Sequence, residues 1–199
     1  MNKNEIRILK ELIASVGLDF TISDISRLLK QEYSQTYRCV KTLLKKNLIV
    51  INNVGNTKVV KLDFSRYHTE YALVELERLN NSLTNKDISS VFNKILKVNK
   101  QFICVLFGSY ALGKSKKSSD IDLLFIVPGE YDSSKFNRIV KDKLSIYNVD
   151  INIITEESLF EMWSYPEKLN VGNELFRAHV ILMGAESFIN LLRKHHVGR

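Results

Sequence analysis

A chain of 199 residues is long enough for one large domain or two small ones, and 45% hydrophobic residues can fill a core, which argues against general disorder. No apolar run approaches the roughly 20 residues needed to cross a bilayer, and Met1-Asn2-Lys3-Asn4-Glu5 leads into no signal-peptide apolar region, so no membrane association and a cytoplasmic location are expected. The formal charge of +7 is uneven: residues 1–66 carry 12 Lys/Arg against 6 Asp/Glu and residues 67–199 carry 17 against 16, which suggests a nucleic-acid-binding module joined to something else.

In chain order, Ile6, Leu9, Leu12, Ile13 and Val16 recur at helical spacing up to Gly17. Thr21-Ile22-Ser23-Asp24 is an N-cap cluster before a short helix with Ile25, Leu28 and Leu29 inward. Ser34 is expected to cap a third helix, with Tyr37, Val40, Leu43 and Leu44 on its apolar side. Two β-like runs, Leu48–Asn52 and Lys58–Asp63, flank Asn53-Val54-Gly55-Asn56, a hairpin signal. Three short helices and a hairpin over residues 4–64 resemble a winged helix-turn-helix domain.

Residues 67–98 read as one or two bridging helices. Leu73, Leu76, Leu79 and Leu83 form one stripe; Ile88, Val91, Phe92, Ile95 and Val98 form another. Either can be interdomain core or a dimer seam, with core the favoured reading. Phe102–Phe107 and Ile121–Val127 read as strands separated by a basic loop, Gly113–Ser119. Ser133–Ile146 reads as helix, Val149–Ile154 as a third strand, Glu156–Trp163 as helix, and Gly172–Lys194 as one last helix, broken or bent near Gly184. Cys39 and Cys104 sit in apolar segments and read as small buried hydrophobes. His195-His196 lacks the neighbours that would complete a metal site.

The chemistry concentrates after residue 107. Gly108-Ser109 follows an apolar run; after ten intervening residues Asp120-Ile121-Asp122 opens the next. Strand alternation puts Asp120 and Asp122 on one face, about 7 Å apart at Cα. Paired carboxylates attract a hard divalent cation such as magnesium. Asp150, at the start of the third strand, can complete the cluster if the strands are neighbours. Glycine at 108 lets backbone approach a phosphate, the Ser109 hydroxyl can donate to a phosphate oxygen and cap a short helix, and Lys114, Lys116 and Lys117 can add positive charge.

Gly108-Ser109 through Asp120-Ile121-Asp122, with Asp150, resembles the minimal nucleotidyltransferase family of the DNA polymerase β superfamily. The resemblance covers about residues 88–155. It implies a small mixed sheet flanked by helices; together with the winged-helix resemblance the expectation is an α+β chain with a winged module at 1–66, a helical linker at 67–87 and a transferase domain at 88–199. It also implies two magnesium ions on Asp120, Asp122 and Asp150, with Asp150 helping to activate the acceptor. A nucleoside triphosphate, with ATP favoured, would donate its monophosphate to a hydroxyl. Minimal members act with HEPN-type helical proteins as toxin–antitoxin pairs, or modify tRNA, which makes a protein or RNA acceptor the expectation. Many relatives carry a basic residue where Leu112 stands here.

In the winged-helix reading, Ser34–Asn47 is the recognition helix. Gln35, Thr36 and Arg38 are candidates for base contacts, and Lys41, Lys45, Lys46 and Lys58 for phosphates of double-stranded DNA. A solvated cationic face in a protein–protein adaptor is the alternative for this helix. Winged-helix proteins often bind as dimers, so a homodimer is expected. The second reading of the whole chain is a transcriptional regulator whose C-terminal half senses a nucleotide or dimerises without turnover.

Overall fold

The computed structural model describes residues 1–116 and 118–197. Helix α1 (Lys3–Ala14) opens on Asn2, whose side chain accepts from the Glu5 N–H while the Glu5 carboxylate accepts from the Asn2 N–H. Thr21 and Asp24 do the same for α2 (Ile22–Leu29). Such reciprocal pairs satisfy N–H groups that a first helical turn leaves without partners. Helix α3 (Tyr33–Lys45) starts one residue earlier than Ser34 and has Glu32 at its cap, with no side-chain hydrogen bond there. Strands β1 (Ile49–Val54) and β2 (Thr57–Leu62) form an antiparallel hairpin, and the Val60 N–H reaches back to the Phe20 carbonyl at 2.8 Å.

Helices α4 (Thr69–Ser82) and α5 (Lys86–Ile95) precede the main sheet. That sheet is built from β3 (Ile103–Leu106), β4 (Ile121–Val127), β5 (Val149–Thr155) and β6 (Val180–Met183), in the order β5-β4-β3-β6. Only β4 and β5 run parallel. The remaining helices are α6 (Gly108–Ala111), α7 (Ser133–Leu144), α8 (Glu156–Trp163), α9 (Val171–Glu174) and α10 (Ala185–Val197). The mixed sheet flanked by helices agrees with the expected architecture.

The region expected as one helix over Gly172–Lys194 is instead α9, a turn, β6 and α10. Val180-Ile181-Leu182-Met183 is a short apolar run, which periodicity alone cannot assign to helix or strand. It forms an outer strand because β3 offers it a free edge.

The sheet has two covered faces. Cys104, Leu106, Leu123 and Phe125 pack with Ile88, Val91 and Ile95 of α5 and Phe136, Val140 and Leu144 of α7. Ile103, Val105, Leu124 and Ile126 join Leu159, Trp163 and Phe188, and this cluster continues without a break into Ile8, Leu12, Ile25, Val40 and Leu43 of the N-terminal helices. Residues 67–87, expected as a linker, contain α4, which packs against α1, α10 and β6. Its buried Tyr71 hydroxyl donates to the Leu48 carbonyl and accepts from the Asp63 N–H. Burial pushes that phenol well above its ordinary pKa.

Several apolar residues expected inside lie outside. Leu28, Tyr37 and Leu44 are exposed, and on α4 Leu73 and Leu76 are 61% and 48% exposed while Ala72, Val74 and Glu75 face inward. The α4 stripe at 73 and 76 is therefore surface rather than interdomain core; only its Leu79 end is buried.

Glu75 marks the junction. It is fully buried, receives the Arg78 guanidinium, and faces His179 Nε2 at 3.4 Å; Arg78 also donates to the His179 carbonyl. The His179 Nδ1 contacts the Leu175 carbonyl at 2.7 Å. Burial alone would raise the Glu75 carboxyl, but Arg78 and His179 outweigh it and hold the pKa low. Removing one member of a buried ionic group strands the others, at a cost of about 3–5 kcal/mol. Glu75→Ala is accordingly expected to lower the urea unfolding free energy by about that amount. A change within ~0.5 kcal/mol, the range of ordinary surface substitutions, would contradict this assignment.

Candidate active site

Strand β4 starts at Ile121, so Asp120 sits in the approach and Asp122 on the strand. The Phe107 N–H donates to the Asp122 carbonyl at 3.1 Å, which fixes the end of β3 beside the start of β4. The chain then turns at Gly108 with φ +65°, a left-handed conformation that side chains other than glycine adopt at a cost. A second constraint acts at the same residue: a Cβ on Gly108 would stand 2.0 Å from Asp122 Oδ2. The backbone at 108 thus lies directly on the carboxylate, where only glycine fits.

Asp122 pairs in parallel register with Asp150 of β5. Paired residues on adjacent strands project to the same face, so the two carboxylates are side by side. Asn152, two residues further along β5, donates its Nδ2 to Asp150 Oδ2 at 3.1 Å. The Asp122 carboxyl is raised above its ordinary pKa, first by burial and then by the charges of Asp120, Asp150 and Glu174; a hydrogen bond from the Ser109 N–H opposes the shift. Glu174, the last residue of α9, is an acidic neighbour that sequence reasoning missed. It lies 24 positions beyond Asp150, in a segment whose pattern read as continuous helix, and no spacing signal marks it.

The structure brings Gly108, Ser109, Asp120, Asp122 and Asp150 together at the shared end of β4 and β5. Ser109 is inside α6, and Phe107 occupies that helix's cap without a side-chain hydrogen bond. Lys114 and Lys116 are exposed on the following loop and form no ion pair among the described residues; Leu112 beside them is also exposed. Lys117 lies outside the described residues.

The donor set is all oxygen, which suits a hard divalent cation, and mutual repulsion at Asp122 is what a cation would relieve. Among the described residues no group of three or more His, Cys, Asp or Glu side chains is placed to hold a metal ion. The oxygen donors match magnesium in chemistry, while their side chains as placed do not form a metal-binding group.

On the N-terminal module, Gln35, Arg38, Lys41 and Lys45 of α3 and Lys58 of β2 are all exposed. Thr36 is corrected: it is fully buried, and its hydroxyl donates to the Glu32 carbonyl, so it cannot reach a base. The exposed neighbour is Tyr37, stacked on Tyr33 at 6.2 Å with the Lys41 Nζ 4.9 Å from its ring centre. Lys46 is also committed elsewhere, pairing with buried Glu5 at 2.7 Å.

Residues 86–178 match the family model described as a nucleotidyltransferase domain. Neither the curated proteins nor the solved structures gave a match. The matched segment begins at the first residue of α5 and ends before β6, so it contains every carboxylate of the site, including Glu174. Nucleotidyl transfer is the general chemistry of such a domain.

A carboxyl whose pKa is raised by folding is destabilising when ionised. For Asp122 that loss grows as pH rises from the ordinary carboxylate value of 3.8 through the raised one. Asp122→Asn removes it. In metal-free buffer at neutral pH this variant is expected to melt above the parent protein, with the gap closing toward pH 4. A melting point below the parent's at every pH would contradict the repulsion.

Proposed function

We propose, starting from the nucleotidyltransferase domain at 86–178, that this chain transfers a nucleoside monophosphate from a triphosphate to a hydroxyl on a protein or RNA acceptor, with ATP the favoured donor. The observation that carries the reading is the register pair Asp122–Asp150 with the Gly108 backbone held against Asp122. Asp120, Asp122 and Asp150 would hold two magnesium ions. Those ions, when bound, neutralise triphosphate charge and ease departure of pyrophosphate.

The chain's own groups supply the rest. The Ser109 hydroxyl would donate to a phosphate oxygen at the turn that Gly108 makes beside Asp122. The acceptor hydroxyl oxygen bonds to the α-phosphorus as the bond from that phosphorus to the bridging oxygen breaks; the proton goes to Asp150 and pyrophosphate leaves. Asn152 fixes the Asp150 carboxylate for this role. Exposed Lys114 and Lys116 add charge for the triphosphate in place of a basic residue at Leu112.

The three helices and hairpin of residues 3–62 support a winged helix-turn-helix that binds double-stranded DNA. Gln35 and Arg38 would read bases, while Lys41, Lys45 and Lys58 would meet phosphates. A DNA-binding transferase acting on a HEPN-type protein or an RNA fits a toxin–antitoxin component, and exposed Leu73 and Leu76 support a homodimer. The basic surface also favours a second reading, a winged-helix regulator whose C-terminal domain senses nucleotide without turnover.

Purified protein, magnesium and each α-labelled triphosphate added to a lysate of the source cell should label a discrete protein or RNA band. Asp122→Asn should abolish labelling. Asn152→Ala should reduce it about 10–100-fold, as loss of a ligand-orienting partner does. Undiminished labelling by Asp122→Asn would refute this mechanism. No labelling with any nucleotide, while duplex DNA is still bound, would favour the regulator. Direct DNA contact predicts that Lys41→Ala lowers the slope of log affinity against log salt by about 1; an unchanged slope would count against it.

A further inference from the structure

A cavity of about 870 Å³ lies between the N-terminal module and the C-terminal helices. That size suits a drug-sized small molecule, and module interfaces are where such sites concentrate. Leu18, Val50 and Phe64 line one side and Phe176 the other. Its lining includes Lys61 and Arg177 together with the imidazoles of His195 and His196. Lys61 is neutralised by Asp19 at 2.8 Å, whereas Arg177 is exposed and forms no ion pair among the described residues.

The joint beside the cavity is rigid. The Gly17 N–H donates to the Phe176 carbonyl at 3.0 Å, and the Ser15 hydroxyl donates to the Arg177 carbonyl at 2.9 Å. A Cβ on Gly17 would stand 2.7 Å from the Phe176 Cβ, so the two modules touch here at backbone distance. Phe176 is backed by Trp163, with stacked rings 5.0 Å apart. His195 stacks on it as well at 5.8 Å, and His196 lies 4.5 Å from Phe64, so these rings together hold one side of the cavity, with the Arg177 backbone fixed beside it.

We propose that this cavity binds a small molecule with a flat apolar body and one anionic group, the body on the wall of Leu18 and Val50 and the anion on Arg177. Apolar walls alone would accept any hydrophobe of the right size. A free guanidinium at the wall selects an anion, because its planar fork donates in parallel to a carboxylate, sulfonate or phosphate. The ligand would touch both modules and bind only their docked arrangement, stabilising that arrangement by mass action. Val50 and Lys61, a cross-strand pair of the β1–β2 hairpin, form part of the wall, and Arg177 follows Glu174 of α9 by three positions. Occupancy would thus bear on the hairpin and on the loop behind the acidic site together. The proposal is independent of whether that site turns over.

The test uses the full chain and 1-anilinonaphthalene-8-sulfonate, a fluorescent aromatic anion, beside the uncharged N-phenyl-1-naphthylamine. Fluorescence enhancement by the sulfonate should saturate at one probe per chain, and binding should be tighter than that of the uncharged probe. Arg177→Glu should weaken the sulfonate at least about tenfold, as loss of a charged hydrogen bond does, and spare the uncharged probe. Leu18→Trp, at a half-exposed wall position, should exclude both probes. Asp122→Asn should change neither, which separates failure here from failure of the transfer reading. Unsaturable binding, or wild-type binding of the sulfonate by both cavity variants at unchanged melting temperature, would overturn the proposal.

Discussion

The parallel pairing of β4 with β5 is the constraint on which the site depends. Parallel neighbours need a crossover connection, and α7 supplies it, burying Phe136, Val140 and Leu144 against one sheet face. That burial fixes register, because a slip of one residue would turn Leu123 and Phe125 out of their core and expose the other set. With register fixed, Asp122 and Asp150 have to be neighbours on the opposite face, at the strand ends where the core stops. Gly108 closes the arrangement, since the same β3–β4 pairing brings its backbone onto the Asp122 carboxylate. The resulting crowd of negative charge works against the fold at neutral pH. Such local conflict is expected where groups are arranged for chemistry rather than for stability.

The second organising feature is the continuity of the core. The N-terminal helices could have hung from a flexible tether. Instead α4 and α10 insert between the modules, Tyr71 ties α4 to the hairpin, and Glu75, Arg78 and His179 clamp α4 to the start of β6. A buried ionic group of this kind contributes little net stability against an apolar replacement, but it tolerates only one mutual arrangement of its members. The basic surface of α3 and the acidic end of the main sheet are consequently held in one body, and a molecule bound at their joint would touch both modules.

Much of this was legible in the sequence, for identifiable reasons. Gly108-Ser109 and Asp120-Ile121-Asp122 flank strands whose apolar runs are unambiguous, and Asp150 opens a third, so the site residues fall at element ends that the pattern marks. The helix start at Thr21 carries its own capping chemistry. Tertiary context decided the rest. β6 is four apolar residues that become a strand only because β3 has an open edge. Thr36 and Tyr37 exchange roles because the face of α3 that meets the core is set by packing on α1, not by hydrophobicity alone: the threonine satisfies its hydroxyl on the helix backbone and goes in, while the tyrosine stacks on Tyr33 outside. Leu73 and Leu76 look like core by spacing, yet the helix buries Glu75 instead because Arg78 and His179 await it. Glu174 reaches the site through a four-residue helix that no periodicity announces.

Diffraction from crystals grown with manganese and a non-hydrolysable ATP analogue, recorded at a wavelength where manganese scatters anomalously, tests the central claim most directly. The account predicts an anomalous peak within bonding distance of the Asp122 carboxylate, on the face shared with Asp150, with the analogue's phosphates against Gly108 and Ser109. A triphosphate bound elsewhere, or saturating manganese with no peak at Asp122, would contradict it.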